Sequence, residues 1–206
     1  MSVPDLLYRS LVWLDVRLGV LFAVALPLVL LVWTVARREP ALLRLLSLYW
    51  KISSLMLIAL LLLVDARPIG YALLVIAPLL SLASLWFWVD LNEELADMPP
   101  WRALPLTVRI WRWSLTLVSL LSSGFALTAL PCLQRGAGTT LCRRWLEAPQ
   151  GLNASLDRVF DFIFGADWTP AVAAFVGYLA LVAYVIGLLQ WLLVRLPRQG
   201  RVAGGF

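Results

Sequence analysis

Four carboxylates, Asp90, Glu93, Glu94 and Asp97, stand at i, i+3, i+4 and i+7, the spacing that lines side chains along one face of an α-helix. Like charges at that spacing repel, so the group calls for cations. Arg44, Lys51, Arg102, Arg109 and Arg112 are expected on the same side of the membrane. Three chemistries fit. The group can be an internal ion-pair cluster that fixes the ends of neighbouring helices, or a docking face for a basic partner. It can also be a Mg²⁺ or Ca²⁺ site built from hard oxygens, although no EF-hand-like loop accompanies it.

Cys132 and Cys142 are the only cysteines. In an oxidising compartment they would form a structural disulfide, closing a short loop around residues 134–140. In the chain-entropy account such a loop contributes on the order of 3 kcal/mol, less any strain. The alternative is a thiol pair for metal or redox work, and this spacing matches no such motif. The chain contains no histidine. That removes the usual near-neutral proton shuttle, His-ligated haem, the Glu-x-x-His di-iron motif and His-ligated chlorophyll. No Gly-rich phosphate loop or Ser-centred motif is present, so neither a catalytic residue nor a metal ligand is assigned and no enzyme is expected.

The elements that must position these residues are membrane helices. The 206 residues are 62% hydrophobic and 14% charged, with a mean hydropathy of +0.89, against about 45–50% and about 25% in soluble domains. Apolar runs approach the roughly 20 residues that cross a bilayer. They predict one all-α integral membrane domain over residues 1–206, a polytopic transmembrane helical bundle. Its five spans are expected at about 18–36, 45–64, 69–89, 113–130 and 169–194, with an outer loop at 131–168. Residues 4–17 read either as a short interfacial helix feeding the first span or as a frayed apolar terminus, and the face Leu152, Leu156, Val159, Phe160, Ile163 and Phe164 predicts an amphipathic helix on the membrane surface. Pro27 predicts a kink in the first span. Ala173, Gly177, Ala180 and Gly187 on the fifth predict close helix–helix packing.

Five spans put the termini on opposite sides. Ten of the 17 basic residues fall on one side: Arg37, Arg38, Arg44, Lys51, Arg102, Arg109, Arg112, Arg195, Arg198 and Arg201. Basic loops stay in the cytoplasm, so the C-terminus is expected there and the N-terminus in the lumen or periplasm. The two cysteines then fall on the outer side. Seven of the tryptophans, Trp33, Trp50, Trp86, Trp88, Trp111, Trp113 and Trp191, lie near the inner ends of spans, as an aromatic belt would. The basic excess reflects topology, and no nucleic-acid partner is expected.

The runs Trp86-Phe-Trp-Val-Asp-Leu-Asn-Glu-Glu94 and Leu26-Pro-Leu-Val-Leu-Leu-Val-Trp33, with the tail Arg195, Arg198-Gln-Gly-Arg201, resemble a family of small cyanobacterial membrane proteins that carries a domain-of-unknown-function label. The resemblance covers most of the chain, including both cysteines. It implies an oxygenic photosynthetic bacterium and a thylakoid or plasma-membrane location, and it carries over no catalytic residue. Together these features lead us to expect a non-catalytic accessory subunit or assembly factor of a photosystem or another photosynthetic or respiratory complex. Its contacts are expected through the fifth span and the face of residues 90–97. No cofactor is assigned, and peripheral chlorophyll, carotenoid or lipid is left open. The other class is a small-solute or ion transporter. It usually keeps ionisable groups at mid-bilayer depth, and none of the five expected spans carries a charge near its centre.

Overall fold

The computed structural model describes residues 3–99, 101–135 and 138–203. These residues are overwhelmingly helical, and five helices are long and apolar enough to cross a membrane: Asp5–Arg37, Pro40–Val64, Pro68–Trp86, Ala103–Ala129 and Pro170–Arg198. The chain is a polytopic helical bundle. Proline occupies the first helical position of α3 (Pro40–Val64), α4 (Pro68–Trp86) and α9 (Pro170–Gln190), where its missing N–H costs no hydrogen bond. Helix α3 is the hub, packing against α2 (Leu26–Arg37), α4, α5 (Val89–Asp97), α8 (Thr140–Phe164) and α9. Helix α9 touches the bundle chiefly through α3. Apolar side chains such as Val29, Val32, Leu121 and Phe175 point outward, as they must where the solvent is lipid. Packing and polar contacts, rather than burial from water, then hold the helices together.

Two helices are longer than the sequence implies. Helix α1 (Val3–Gly19) is not a separate interfacial helix followed by a span at 18–36. It continues through a π-helical segment, Val20–Ala25, directly into α2. At about 1.5 Å per residue the 33-residue helix Asp5–Arg37 is about 50 Å long, well beyond the roughly 30 Å hydrocarbon core. Its N-terminal end has partners: Arg9 pairs with Glu147 of α8 at 2.7 Å, and the Trp13 indole donates to the same carboxylate. The fourth long helix, α6 (Ala103–Ala126), begins ten residues before the expected span at 113. Its extra turns pack Leu104 and Val108 into the core shared with Leu91 and Leu95 of α5. The outer loop at 131–168 contains α7 (Cys132–Arg135) and α8, and the chain closes with α10 (Leu196–Gln199).

Pro27 acts through the π-helical segment. Leu26 N–H reaches back to Leu21 O and Pro27 has no N–H, so the carbonyls of Phe22 and Ala23 lose their ordinary donors. Both are answered from neighbouring helices. Tyr49 Oη donates to Ala23 O at 2.7 Å, and Trp111 Nε1 donates to Phe22 O at 2.8 Å. The two rings meet edge-on, with centroids 5.1 Å apart. One proline therefore fixes how α2, α3 and α6 face each other.

Candidate functional site

The densest polar constellation lies at the end of the bundle that carries the 37–40 and 87–102 connections, called here the basic end. Helix α4 stops at Trp86 because Trp88 adopts an extended backbone, after which α5 starts afresh at Val89. The third span therefore ends three residues earlier than 89. Asp90, Glu93, Glu94 and Asp97 do share one short helix, but it is not a continuation of that span. Leu91 and Leu95, four residues apart and buried, turn α5 onto the core.

Helix ends leave carbonyls unsatisfied, and beside a membrane that deficit is costly. Arginine side chains fill it. Arg112, buried, donates through Nη2 to Leu85 O at 2.6 Å and to Asn92 Oδ1 at 2.5 Å. Its guanidinium lies 4.2 Å from the Trp86 ring centroid, a stacked cation–π geometry. Asn92 Nδ2 returns a bond to Trp86 O at 3.1 Å. Trp86 Nε1 donates to Thr116 Oγ1, which donates to Arg112 O. One turn earlier Arg109 donates to Leu95 O at 2.6 Å, with Ala96 O and Met98 O at 3.1 Å. Arg112 thus caps α4 and Arg109 caps α5, a cation at a helix C-terminus being favourable as well.

The expected carboxylate partners are sorted differently. Glu94 takes Arg44 through both oxygens at 2.8 and 2.7 Å. Arg102 reaches Glu39 on another connection, at 3.9 Å. Asp90, in the first turn of α5, accepts Ala203 N–H on both oxygens at 3.0 and 2.9 Å. Val89 N–H bonds Arg201 O, and Arg201 Nε bonds Phe87 O at 2.8 Å. The C-terminal segment is thus a strap across the α4–α5 elbow, with Ala203 buried. Glu93 and Asp97 are exposed and find no partner among the described residues. Lys51 lies apart from the cluster, in a cleft between α3 and α9. Among the described residues no three or more His, Cys, Asp or Glu gather to hold a metal ion, so the divalent-cation alternative has no ligand set there.

The opposite end is built on the cysteines. Cys132 and Cys142 are joined, with Cα atoms 5.7 Å apart and both residues buried. The Thr139 hydroxyl caps α8 by accepting Cys142 N–H. Glu147 gathers Arg9 and Arg144, each at 2.7 Å, and Trp13 at 3.2 Å. Burial raises its pKa, but the bonds from Arg144, Arg9 and Trp13 and the charge of Arg9 outweigh burial and hold the carboxyl below its ordinary value. Trp145 Nε1 and Thr128 share the Tyr8 hydroxyl, each at 2.8 Å.

On α9, Ala173 and Gly177 are buried against α3, and Ala180 packs on the core shared by α3, α4 and α9. A Cβ at Gly177 would come within 3.1 Å of Leu62 and 3.2 Å of Leu61 Cβ. Gly187 does not join the seam, since a Cβ there would meet nothing within 4 Å. The amphipathic face of α8 turns outward at Leu152, Leu156, Val159 and Ile163. Sequence reasoning gave no role to Asn92, Thr116 and Glu147, each of which has one partner 20 or more positions away. The one available signal was the i, i+3 pair Arg109 and Arg112 inside an otherwise apolar helix.

No curated protein and no solved structure matches the chain. The family described as "Protein of unknown function (DUF3177)" matches residues 9–204, nearly the whole length, and the chain belongs to it.

Proposed function

We propose that this chain is a non-catalytic accessory subunit, or an assembly or stability factor, of a larger membrane complex. The observation that carries this reading is the isolation of α9. It leans on α3 along one seam of small residues, and Phe175, Leu179, Ile186 and Leu193 around the remaining circumference are exposed. A helix held by one seam has faces left for a neighbouring membrane protein or for lipid. The small-residue stripe itself faces inward, so the docking surface is the large-side-chain face of α9 rather than Ala173 and Gly177. Glu93 and Asp97 add an exposed acidic edge at the basic end. The arginines support the same reading, because the hydrogen bonds of Arg109 and Arg112 go to the carbonyls of residues 85, 95, 96 and 98 and to Asn92.

The basic end is read as cytoplasmic, and the disulfide as lying in the lumen or periplasm, from loop charge and thiol chemistry. The resemblance to small cyanobacterial proteins makes a thylakoid photosynthetic or respiratory assembly the first complex to test. The test is native purification of the tagged full chain in mild detergent, followed by mass spectrometry. A stoichiometric partner lost on Phe175→Ala plus Leu179→Ala substitution is the expected result. Recovery of the chain alone, or solute flux in liposomes that contain nothing else, overturns the proposal.

A further inference from the structure

We propose that the groove between α5 and α6 at the basic end takes the phosphate of an anionic membrane phospholipid, held between Arg109 and Arg112. Both side chains line this groove of about 420 Å³, together with Asn92 and Ala96 of α5 and the indoles of Trp86 and Trp113. They stand at i and i+3 on α6, about 5–6 Å apart at Cβ, close enough to share one phosphate. Their hydrogen bonds within the chain go to neutral acceptors, the carbonyls of residues 85, 95, 96 and 98 and the Asn92 amide, and each arginine makes them through Nη2 alone. Arg112 Nε is buried with no acceptor. The Trp86 face offers Arg112 a quadrupole and no counter-charge. Among the described residues neither arginine joins an ion pair, whereas Arg44 and Arg102 nearby each reach a glutamate. Glu93 and Asp97 lie on α5 but do not line the groove. Capping therefore satisfies the helix ends and leaves two like charges, one turn apart, without a counter-ion.

What the groove opens onto names the anion. Leu106, Ile110, Trp113, Leu117 and Leu120 recur along α6 at steps of three and four and are all exposed, so that stripe faces lipid. Trp113 belongs to the stripe and is also a wall of the groove, its ring 5.0 Å from that of Trp86. The groove thus opens sideways onto the bilayer, at the level where an indole marks the headgroups. From there the stripe continues through Leu117 and Leu120 toward the bilayer middle, a track for acyl chains. A soluble anion would leave that track unused, and a zwitterionic headgroup would bring its own cation against two arginines. An anionic head on acyl chains matches both, and basic pockets beside membrane helices favour such headgroups. The inference stands apart from the accessory-subunit reading, since a lipid can occupy the groove of an isolated chain.

The experiment is native mass spectrometry of the full chain released from detergent that contains phosphatidylglycerol or phosphatidylcholine of matched chains. Preferential retention of one phosphatidylglycerol per chain is expected. Ala96 is exposed on the groove wall, and its carbonyl already meets Arg109 Nη2. Ala96→Glu therefore puts a carboxylate where the phosphate would sit. It should lower phosphatidylglycerol retention between about fivefold and thirtyfold, the worth of one to two basic contacts at a membrane surface. Ala96→Gln, equal in size and uncharged, should keep it. Arg109→Gln leaves one cation and should lower it about fivefold; the Ala96 pair removes no cap, so the test survives poor folding of that variant. Equal retention of the two lipids by the parent chain, or an effect of Ala96→Glu no larger than that of Ala96→Gln, overturns the proposal. So does inorganic phosphate that occupies the chain and keeps phosphatidylglycerol out, or a photocrosslinker at position 96 that captures a polypeptide in place of lipid in intact membranes.

Discussion

At the basic end Arg109 and Arg112, one turn apart on α6, donate to the main-chain carbonyls that close α5 and α4. At the disulfide end the joints are a covalent bridge and one carboxylate that gathers two arginines and an indole. The difference follows from what each end must hold. Helices α4 and α5 meet at a sharp break beside the membrane, where water is a poor substitute for missing donors, so the fork of an arginine does most there. The disulfide end carries a helix of 25 residues, α8, whose second half leaves the bundle, and it needs tethers rather than caps. A cation that topology rules assign to one side of the membrane can thus also be the group that ends a helix.

The sharpest test of that contrast is Arg112. Arg112→Leu leaves Leu85 O and Asn92 Oδ1 without their donor in a buried site, and two such losses cost about 3 kcal/mol together. Thermal unfolding in detergent should show the drop. Arg112→Lys keeps the charge but loses the planar fork and its stacking on Trp86, so it should recover less than half. A cost under about 1 kcal/mol for the leucine variant would place Arg112 with ordinary surface charges and erase the distinction between the two ends.

Opening the bridge should act on the other end alone. Replacing Cys132 and Cys142 by alanine removes a constraint worth on the order of 3 kcal/mol or somewhat less for so short a loop. The signature is spatial: amide exchange should rise across residues 139–150, while α5 keeps its protection. A matching rise in α5 would mean that the two ends unfold as one unit.

How much of this was legible beforehand varies with the range of the interaction. Five membrane-length helices follow from local hydropathy, and the Cys132–Cys142 bridge follows from their being the only two cysteines. Asp90, Glu93, Glu94 and Asp97 do fall on one short helix, because helical spacing is local. What escaped was set by tertiary placement. Charge counting paired Arg109 and Arg112 with carboxylates, yet their acceptors are carbonyls, which every residue carries and no pattern marks. Helix α6 starts ten residues before the expected 113, because Arg109 and Arg112, which hydropathy keeps out of a span, are satisfied by α5. The continuity of α1 into α2 was hidden for the same reason, since Arg9 and Trp13 are stabilised by Glu147, more than 130 positions away.

The C-terminal strap offers a smaller effect at the basic end. Asp90→Asn keeps the shape but removes the charge that accepts Ala203 N–H and favours the start of α5. A charge-assisted bond and a helix N-terminus together suggest a loss of about 1–2 kcal/mol. Limited proteolysis should cut the tail near Arg201 faster, with α8 unaffected. Unchanged cleavage would show that Arg201 on Phe87 secures the strap without Asp90.

The smallest effect separates the ends by acid. The Glu147 carboxyl titrates below its ordinary value of 4.5 in the folded chain, so between that value and the folded one the unfolded chain binds more protons. Its contribution to stability is fully present above about pH 4.5 and is lost as pH falls through the folded pKa. Arg9 is half exposed, which lets solvent and salt screen part of the attraction. The expected change is therefore only about severalfold in amide exchange at residues 5–13 and 140–150, after correction for intrinsic rates. Glu147→Gln cannot lose that charge, so the same segments should exchange at a pH-independent corrected rate, somewhat faster than the parent chain at neutral pH. Raised salt should shrink the parent's acid response only in part, since the hydrogen bonds from Arg144, Arg9 and Trp13 lower the carboxyl more than the charge of Arg9 does. If the response survives in the glutamine variant, another carboxylate senses the acid, and the disulfide end owes its cohesion to the bridge and the Tyr8, Thr128 and Trp145 bonds instead.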